Sequence, residues 1–326
     1  MSKYQAVNYS DEEIEWLLEN FQGFETYQDA SEHFNAIFEN NKTANALRKV
    51  FDHYKMFEPK ELEEVSDEPK ILVYDIETAP IIAHVWRLWD QNVGLNQIEQ
   101  DWHVMSWCAK WKGSDEVIYM DQRGKEDISD DKDLMYEIWK LLDEADIVIT
   151  QNGKSFDEKK LNARFILHGF PPPSSYRHLD TKLIAKKNFA FTSNKLAYMT
   201  DKLCTKYKKL SHAKFPGHSL WTECLKNNPE AWQEMEDYNR YDVLSLEELY
   251  DKLAPWDNTL HFGPMLGGEE MRCKCGSTDY KKSGRYYTGA SAFQKYQCLS
   301  CGHEVRGTKN LLSKEKRKAM GRKVSK

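Results

Sequence analysis

Apolar residues recur at helical spacing through residues 10–55 and at strand spacing from residue 71 onward. The arrangement Ser10-x-x-Glu13 has the form of a capping box and precedes Ile14, Leu17, Leu18 and Phe21 on one helical face. A second helix is predicted from Thr26 or Tyr27, burying Ala30, Phe34 and Ile37. A third is predicted from near Thr43, burying Leu47, Val50, Phe51 and Tyr54. Together they predict a compact three-helix bundle over residues 1–57. The following stretch, residues 58–69, is acidic, proline-containing and without an apolar stripe, which reads as a linker.

From residue 70 the pattern mixes periods. Strands are predicted at Ile71–Tyr74, Val104–Trp111, Val117–Met120, Ile147–Thr150 and Tyr176–Leu179, and helices at Lys132–Glu144, Asp157–Leu167, Leu196–Tyr207 and Glu230–Leu253. Strands first, then helices alternating with strands, predict an α/β domain over residues 70–256: a mixed sheet flanked by helices, consistent with a ribonuclease H-like layout. Residues 257–270 break the pattern as a second linker, residues 271–306 hold a cysteine segment, and residues 307–326 form a basic tail.

Composition narrows the classes. The chain has 326 residues, 46 Lys and Arg against 52 Asp and Glu, a net charge of −6 and seven cysteines. No apolar run reaches the roughly 20 residues of a membrane span, and the first residues lack the blocks of a signal peptide. A cytoplasmic location, in a bacterium or a phage-infected cell, is the expectation. Cys108, Cys204 and Cys224 are scattered, whereas Cys273, Cys275, Cys298 and Cys301 are bunched, which suits a metal better than disulfides.

Candidate chemistry starts at "ILVYDIET". Alternate residues on an extended segment share a face, so Asp75 and Glu77 would repel one another there unless a cation lay between them. Asp157, in "NGKSFD", opens a helix, and Tyr238 and Asp242, in "YNRYD", lie one helical turn apart on one face. Four acids and a phenol of this kind can converge on hard cations, Mg²⁺ or Mn²⁺, that act on a phosphodiester. Each motif alone has a plainer reading: a chance acid pair, an Asn152-Gly153 turn, a helix cap, an ordinary helix face.

The three segments "YDIET", "NGKSFD" and "YNRYD", in that order over residues 70–255, resemble the exonuclease motifs of the DEDD superfamily of 3′–5′ exonucleases, in the subtype with tyrosine in its third motif. The resemblance implies a metal-dependent 3′–5′ DNA exonuclease of replication, proofreading or repair. It also implies that Asp75 bridges two metal ions, Glu77 and Asp242 help hold the ion on the water side, Asp157 serves the second ion and Tyr238 orients the nucleophile. Asn152 matches a position near the substrate strand. DNA is the implied partner, alongside a polymerase or another replication protein. The alternatives are a structure-specific endonuclease on the same fold and a DNA-binding recruitment protein with a relic nuclease core. Asp180 and His178 lie at another strand end, where a supporting role is expected. Lys208, Lys209, His212, Lys214 and His218 suit either a phosphate track or a solvated loop.

Cys273-x-Cys275 and Cys298-x-x-Cys301, each followed by glycine, predict the knuckles of a zinc ribbon holding one structural Zn²⁺, although the first knuckle is one residue short. His303 follows Cys301 too closely to be the preferred ligand. Lys281, Lys282, Arg285, Tyr286, Tyr287, Lys295 and Tyr296 interleave charge with aromatic rings, as nucleic-acid contact requires. The N-terminal stretch, especially "NKTANALRKV", resembles the Myb-like helix-turn-helix modules of phage homing endonucleases. That likeness makes the third helix the reader, with Lys42, Asn45, Arg48 and Lys49 toward DNA, and leaves docking to a partner protein as the alternative.

Overall fold

The computed structural model describes residues 9–20, 24, 26–55, 68–210, 214–268 and 270–319. The chain divides into two compact units, residues 1–65 and 66–326.

The first unit holds three helices, α1 (Asp11–Asn20), α2 (Tyr27–Phe38) and α3 (Ala44–Lys55). The capping box forms: the Ser10 amide donates to the Glu13 carboxylate at 2.6 Å and the Glu13 amide to Ser10 Oγ at 3.2 Å. Thr26 caps α2 through the Asp29 amide. Leu17, Phe34, Leu47 and Val50 make the core, with Trp16 and Phe38 packed against it. Ile14 and Ala30 are also buried, but Ile37 is exposed, contrary to expectation. A bundle this small covers only one stripe of each helix, and Phe34 with Phe38 already fills the stripe of α2. Phe21, and the side chains of Phe51 and Tyr54, lie outside the described residues, as do residues 58–67 of the expected linker.

The second unit opens with β1 (Ile71–Thr78), a short ribbon of β2 (Ile82–Ala83) and β3 (Ile98–Gln100), then β4 (Val104–Trp111), β5 (Ile118–Asp121), α4 (Lys132–Glu144), β6 (Ile147–Thr150), α5 (Asp157–Leu167) and β7 (Arg177–Asp180). It continues through α6 (Thr181–Asn188), α7 (Leu196–Leu203), α8 (Ser219–Leu225) and α9 (Pro229–Leu253). A three-stranded sheet of β8 (Tyr280–Thr288), β9 (Ser291–Cys298) and β10 (Glu304–Asn310) follows, and α10 (Lys314–Ala319) is the last described helix. The main sheet has the order β5-β4-β1-β6-β7, with β1 antiparallel to β4 and parallel to β6. Helices flank the sheet on both faces. Trp107 of β4 donates to the Leu134 carbonyl of α4 at 2.8 Å, while Val73 and Ile149 pack on the other side with Val243, Leu246 and Leu249 of α9.

Several boundaries differ from the sequence expectation. β1 runs past its expected end at Tyr74 to Thr78, so Asp75 and Glu77 belong to the strand; the antiparallel ladder with β4 holds the segment extended. β5 and β7 are each displaced by one residue from their predicted starts and ends. The helix from Leu196 stops at Leu203 instead of Tyr207, because the amides of Thr205, Lys206 and Tyr207 donate to the Glu248 carboxylate at 2.7, 3.1 and 2.8 Å. α6 and α8 have no counterpart in the sequence reading. Residues 257–270 pack instead of hanging free: Phe262 is buried in the main core. Gly263 passes so close to the chain that a Cβ there would lie 2.1 Å from the Arg272 carbonyl oxygen. No helix among the described residues is long and apolar enough to cross a membrane.

Candidate active site

One face of β1 carries Ile71, Val73, Asp75 and Glu77, apolar first and then acidic. The face of α9 that packs on it changes in step: Leu253, Leu249 and Leu246 sit in the core, followed toward the helix N-terminus by Asp242, Asn239 and Tyr238, all buried. The hydrophobic stripe thus sets the register in which two strand acids meet a helix acid and a phenol. Carboxylate oxygens of Asp75, Glu77 and Asp242 all lie within 4.8 Å of one another.

Asp157 arrives from the other neighbour of β1. β6 runs parallel to β1, and α5 starts after the turn that follows it, so its first residue comes to the same end of the sheet. Asp157 Oδ1 accepts the Ile76 amide at 3.3 Å and lines a cavity of about 210 Å³ with Asp75, Glu77, Tyr238 and Asp242. Its oxygens lie outside the three-acid group. The turn itself is tightly specified. Asn152 has φ +70°, and a Cβ on Gly153 would lie 2.2 Å from Thr150 Oγ1. Asp180 accepts the Asn152 and Lys154 amides at 3.0 and 3.3 Å and also caps α6. Asp180 therefore supports the turn from outside the acid cluster, and His178 is held by Thr150 and Glu158 at 2.7 and 3.1 Å. Asn152 faces the cavity and accepts from Lys182 Nζ at 3.0 Å.

Three side chains that the motifs did not single out as site members complete the surroundings. Asn239 Nδ2 donates to Asp75 at 2.8 Å, and the Trp221 indole N–H donates to Glu77 at 3.1 Å while its ring meets Tyr238 edge-on at 6.2 Å. Lys209 enters the cavity, pairs with Asp242 and lies 4.2 Å from the centre of the Tyr238 ring. Asn239 shares the helical face of Asp242 at i, i+3, a spacing visible in the sequence; Trp221 has no such signal. Of the other basic residues, Lys208 pairs with Asp201 and Lys214 with Glu230, both at the surface, and His212 lies outside the described residues.

The acids resist ionisation. Burial, then Asp157, Asp242 and Glu77, raise the Asp75 pKa well above the ordinary carboxylate value. Burial and Asp242 push Glu77 up to about 8, and burial pushes Asp157 up to about 7. Burial, Asp242 and Glu77 likewise raise the Tyr238 phenol. Burial works against the Lys209 ammonium, but Asp242 outweighs it and holds the lysine above its usual value. The cluster is thus short of positive charge, and its donors are all hard oxygens, a set that fits Mg²⁺ or Mn²⁺.

Residues 94–254 match a family model described as the RNase_H superfamily; the match begins after β1. The fold carrying the acids is ribonuclease H-like. A solved structure similar to this chain is the family B DNA polymerase of the hyperthermophilic archaeon Pyrobaculum calidifontis. It has 15% identity and a TM-score of 0.42, with the match covering 57% of this chain and 25% of that one. No curated protein matches the chain. Within this ribonuclease H-like unit, the acids sit at the end of the sheet's central strand.

The second cluster borders a cavity that Asp251, near the end of α9, lines together with Cys275 and Cys301. Sγ atoms of Cys273, Cys275, Cys298 and Cys301 all lie within 4.8 Å, with Cys273 and Cys301 3.6 Å apart and Cys275 and Cys298 3.7 Å apart. Four thiolates around one tetrahedral Zn²⁺ have sulfurs roughly 3.8 Å apart. The residues therefore fit zinc, and Gly276 and Gly302, at φ +89° and +78°, let both knuckles turn despite the short first spacing. His303 is occupied elsewhere, at 2.9 Å from the Pro255 carbonyl. In the first unit Asn45, Arg48 and Lys49 lie exposed along α3. Lys42 precedes that helix, and its ammonium stands 4.3 Å from the centre of the Tyr9 ring.

Proposed function

We propose that the protein is a metal-dependent 3′–5′ DNA exonuclease. The observation that carries this reading is the meeting of Asp75, Glu77 and Asp242 within 4.8 Å, in a cavity that Asp157 and Tyr238 also line. Asp75, central among the acids, would hold both of two divalent cations, with Glu77 and Asp242 on the side of the attacking water and Asp157 on the other. When bound, such cations supply the charge that stabilises the entering and departing oxygens of an in-line displacement at phosphorus. The Tyr238 hydroxyl orients the attacking water, and Asn239 and Trp221 fix the Asp75 and Glu77 carboxylates so that little reorganisation is left for the reaction. Asn152 borders the terminal nucleotide.

In this reading Cys273, Cys275, Cys298 and Cys301 hold a structural Zn²⁺ in a zinc ribbon, and α1 to α3 form a helix-turn-helix that brings Asn45, Arg48, Lys49 and Lys42 to DNA. The work is removal of 3′ ends during replication, proofreading or repair beside a polymerase, in the cytoplasm of a bacterium or a phage-infected cell.

The test uses 5′-labelled single-stranded, blunt and branched DNA with Mg²⁺, with Mn²⁺, or with neither, on the wild type and on Asp75→Ala. The expected result is a metal-dependent ladder shortening from the 3′ end, reduced at least about 10³-fold by the substitution. A single internal cut at a junction, or metal-independent cleavage that survives Asp75→Ala, would overturn the reading.

A further inference from the structure

Between β1 and β4 the chain leaves the main sheet as an arm, residues 79–102, built on the two-stranded ribbon of β2 and β3. It is pinned at its base by the Ala79 amide donating to the His103 carbonyl at 2.9 Å, and along its length by a pair of bonds joining His84 and Gln97, each 2.9 Å. Its tip is ordered by polar contacts: Arg87 donates to the Asp90 carbonyl, and the Gly94 amide to Gln97 Oε1 at 2.8 Å. What the arm lacks is a core. Trp86 is 95% exposed, Leu95 88%, Leu88 83% and Trp89 79%, with Val85 and Val93 also exposed beside them. A two-stranded ribbon is marginal by itself in water, and apolar patches of this size on a soluble surface mark interfaces.

We propose that the arm is the dimerisation element of this protein, and that its partner is the arm of a second copy. Area supports this. The four most exposed side chains with their apolar neighbours offer on the order of 1,000 Å², against the roughly 800 Å² per partner of a standard stable interface. Charge points the same way. Residues 79–102 carry Arg87 against Asp90, Glu99 and Asp101, a balance that repels a phosphate backbone and leaves the flat rings of Trp86 and Trp89 without the basic groove that holds a strand against such rings. Two copies related by a two-fold axis present the same patch to each other, so Trp86 and Trp89 bury on their counterparts, and Arg87 of each arm can meet an acid of the other. The inference stands on the arm alone and does not depend on the nuclease reading.

Sedimentation equilibrium of the full chain tests it. The wild type is expected as a reversible dimer of twice 38.3 kDa. Trp86→Ser with Trp89→Ser, which touches no core position, is expected to keep the far-ultraviolet circular dichroism of the wild type and to weaken association at least about 100-fold. A wild type sedimenting at 38.3 kDa at every concentration overturns the proposal, whether or not its arm then binds single-stranded DNA or another protein. So does a double variant that associates as tightly as the wild type.

Discussion

Asp131 and Asp75 are both aspartates withdrawn into the ribonuclease H-like unit, yet the protein treats them in opposite ways. Asp131, just before α4, accepts the Val104 amide at 2.8 Å, the Arg164 guanidinium at 2.8 and 3.1 Å and the His168 ring at 2.6 Å. Burial by itself would raise its pKa; the bonds from His168 and Arg164 outweigh that and hold it below the ordinary carboxylate value. Asp75 accepts one neutral amide from Asn239 and faces three further acids, and its pKa is raised. A buried acid whose charge the chain neutralises is part of the fold, whereas a group of buried and half-buried acids left under-compensated costs stability and needs a purpose outside the fold.

The largest effect separates the two by substitution. Asp131→Ala leaves Arg164, whose side chain is 13% exposed, without its carboxylate and removes the tie to β4, for a loss of about 3–5 kcal/mol. Asp75→Ala relieves repulsion, so its melting temperature in magnesium-free buffer is expected to equal or exceed that of the wild type. Calorimetry of both variants checks the contrast. A collapse of Asp75→Ala matching that of Asp131→Ala would show that the acid cluster is structural.

Acidity gives a smaller and oppositely signed pair of effects. The folded pKa of Asp131 is depressed, so its contribution is present above the unfolded value of about 3.9 and is lost as pH falls through the folded value. Glu77 and Asp157, raised to about 8 and about 7, behave in reverse. Between roughly pH 4.5 and those values the folded protein keeps protons that the unfolded chain has released, so stability falls as pH rises through that window. Without magnesium, the wild type should therefore melt higher at pH 5.5 than at pH 8, and Glu77→Gln with Asp157→Asn should flatten that slope. An unchanged slope in the double variant would contradict the assignment of the raised values.

The contrast also explains what was legible in the sequence. The alternation in "ILVYDIET" and the i, i+4 pair Tyr238 and Asp242 are local periodicities, so the acids and their elements could be read, and α4, α5, β4 and β6 have the predicted bounds. Trp221 reaches Glu77 from α8, which packs against α9, and Lys209, in the sequence just one of several cations of a loop, enters the cavity against Asp242; no local pattern encodes either contact. The end of α7 depends on Glu248, some 40 residues away, for the same reason. Ile37 stands in solvent: periodicity identifies a face but not how much of that face a small bundle can cover. The arm carries many apolar residues without regular alternation, so only the structure shows that they stand in solvent.

Lys209 is where the two treatments of charge meet. Among the described residues it supplies the ammonium that contacts the acid cluster, and it lies against Asp242, one of the three acids grouped closely enough to hold a cation. A cation entering that group must share Asp242 with the ammonium or displace it. Two unit charges about 4 Å apart at a partly buried site repel by up to about 4 kcal/mol, of which side-chain movement and solvent remove the greater part. Lys209→Met keeps the length of the side chain and its packing on Tyr238 while removing the charge. Titration of Mg²⁺ followed by melting temperature should therefore show half-saturation at about tenfold lower concentration in Lys209→Met than in the wild type, equivalent to about 1.4 kcal/mol. Weaker magnesium binding in the variant would mean that the lysine helps to assemble the site and does not compete for it.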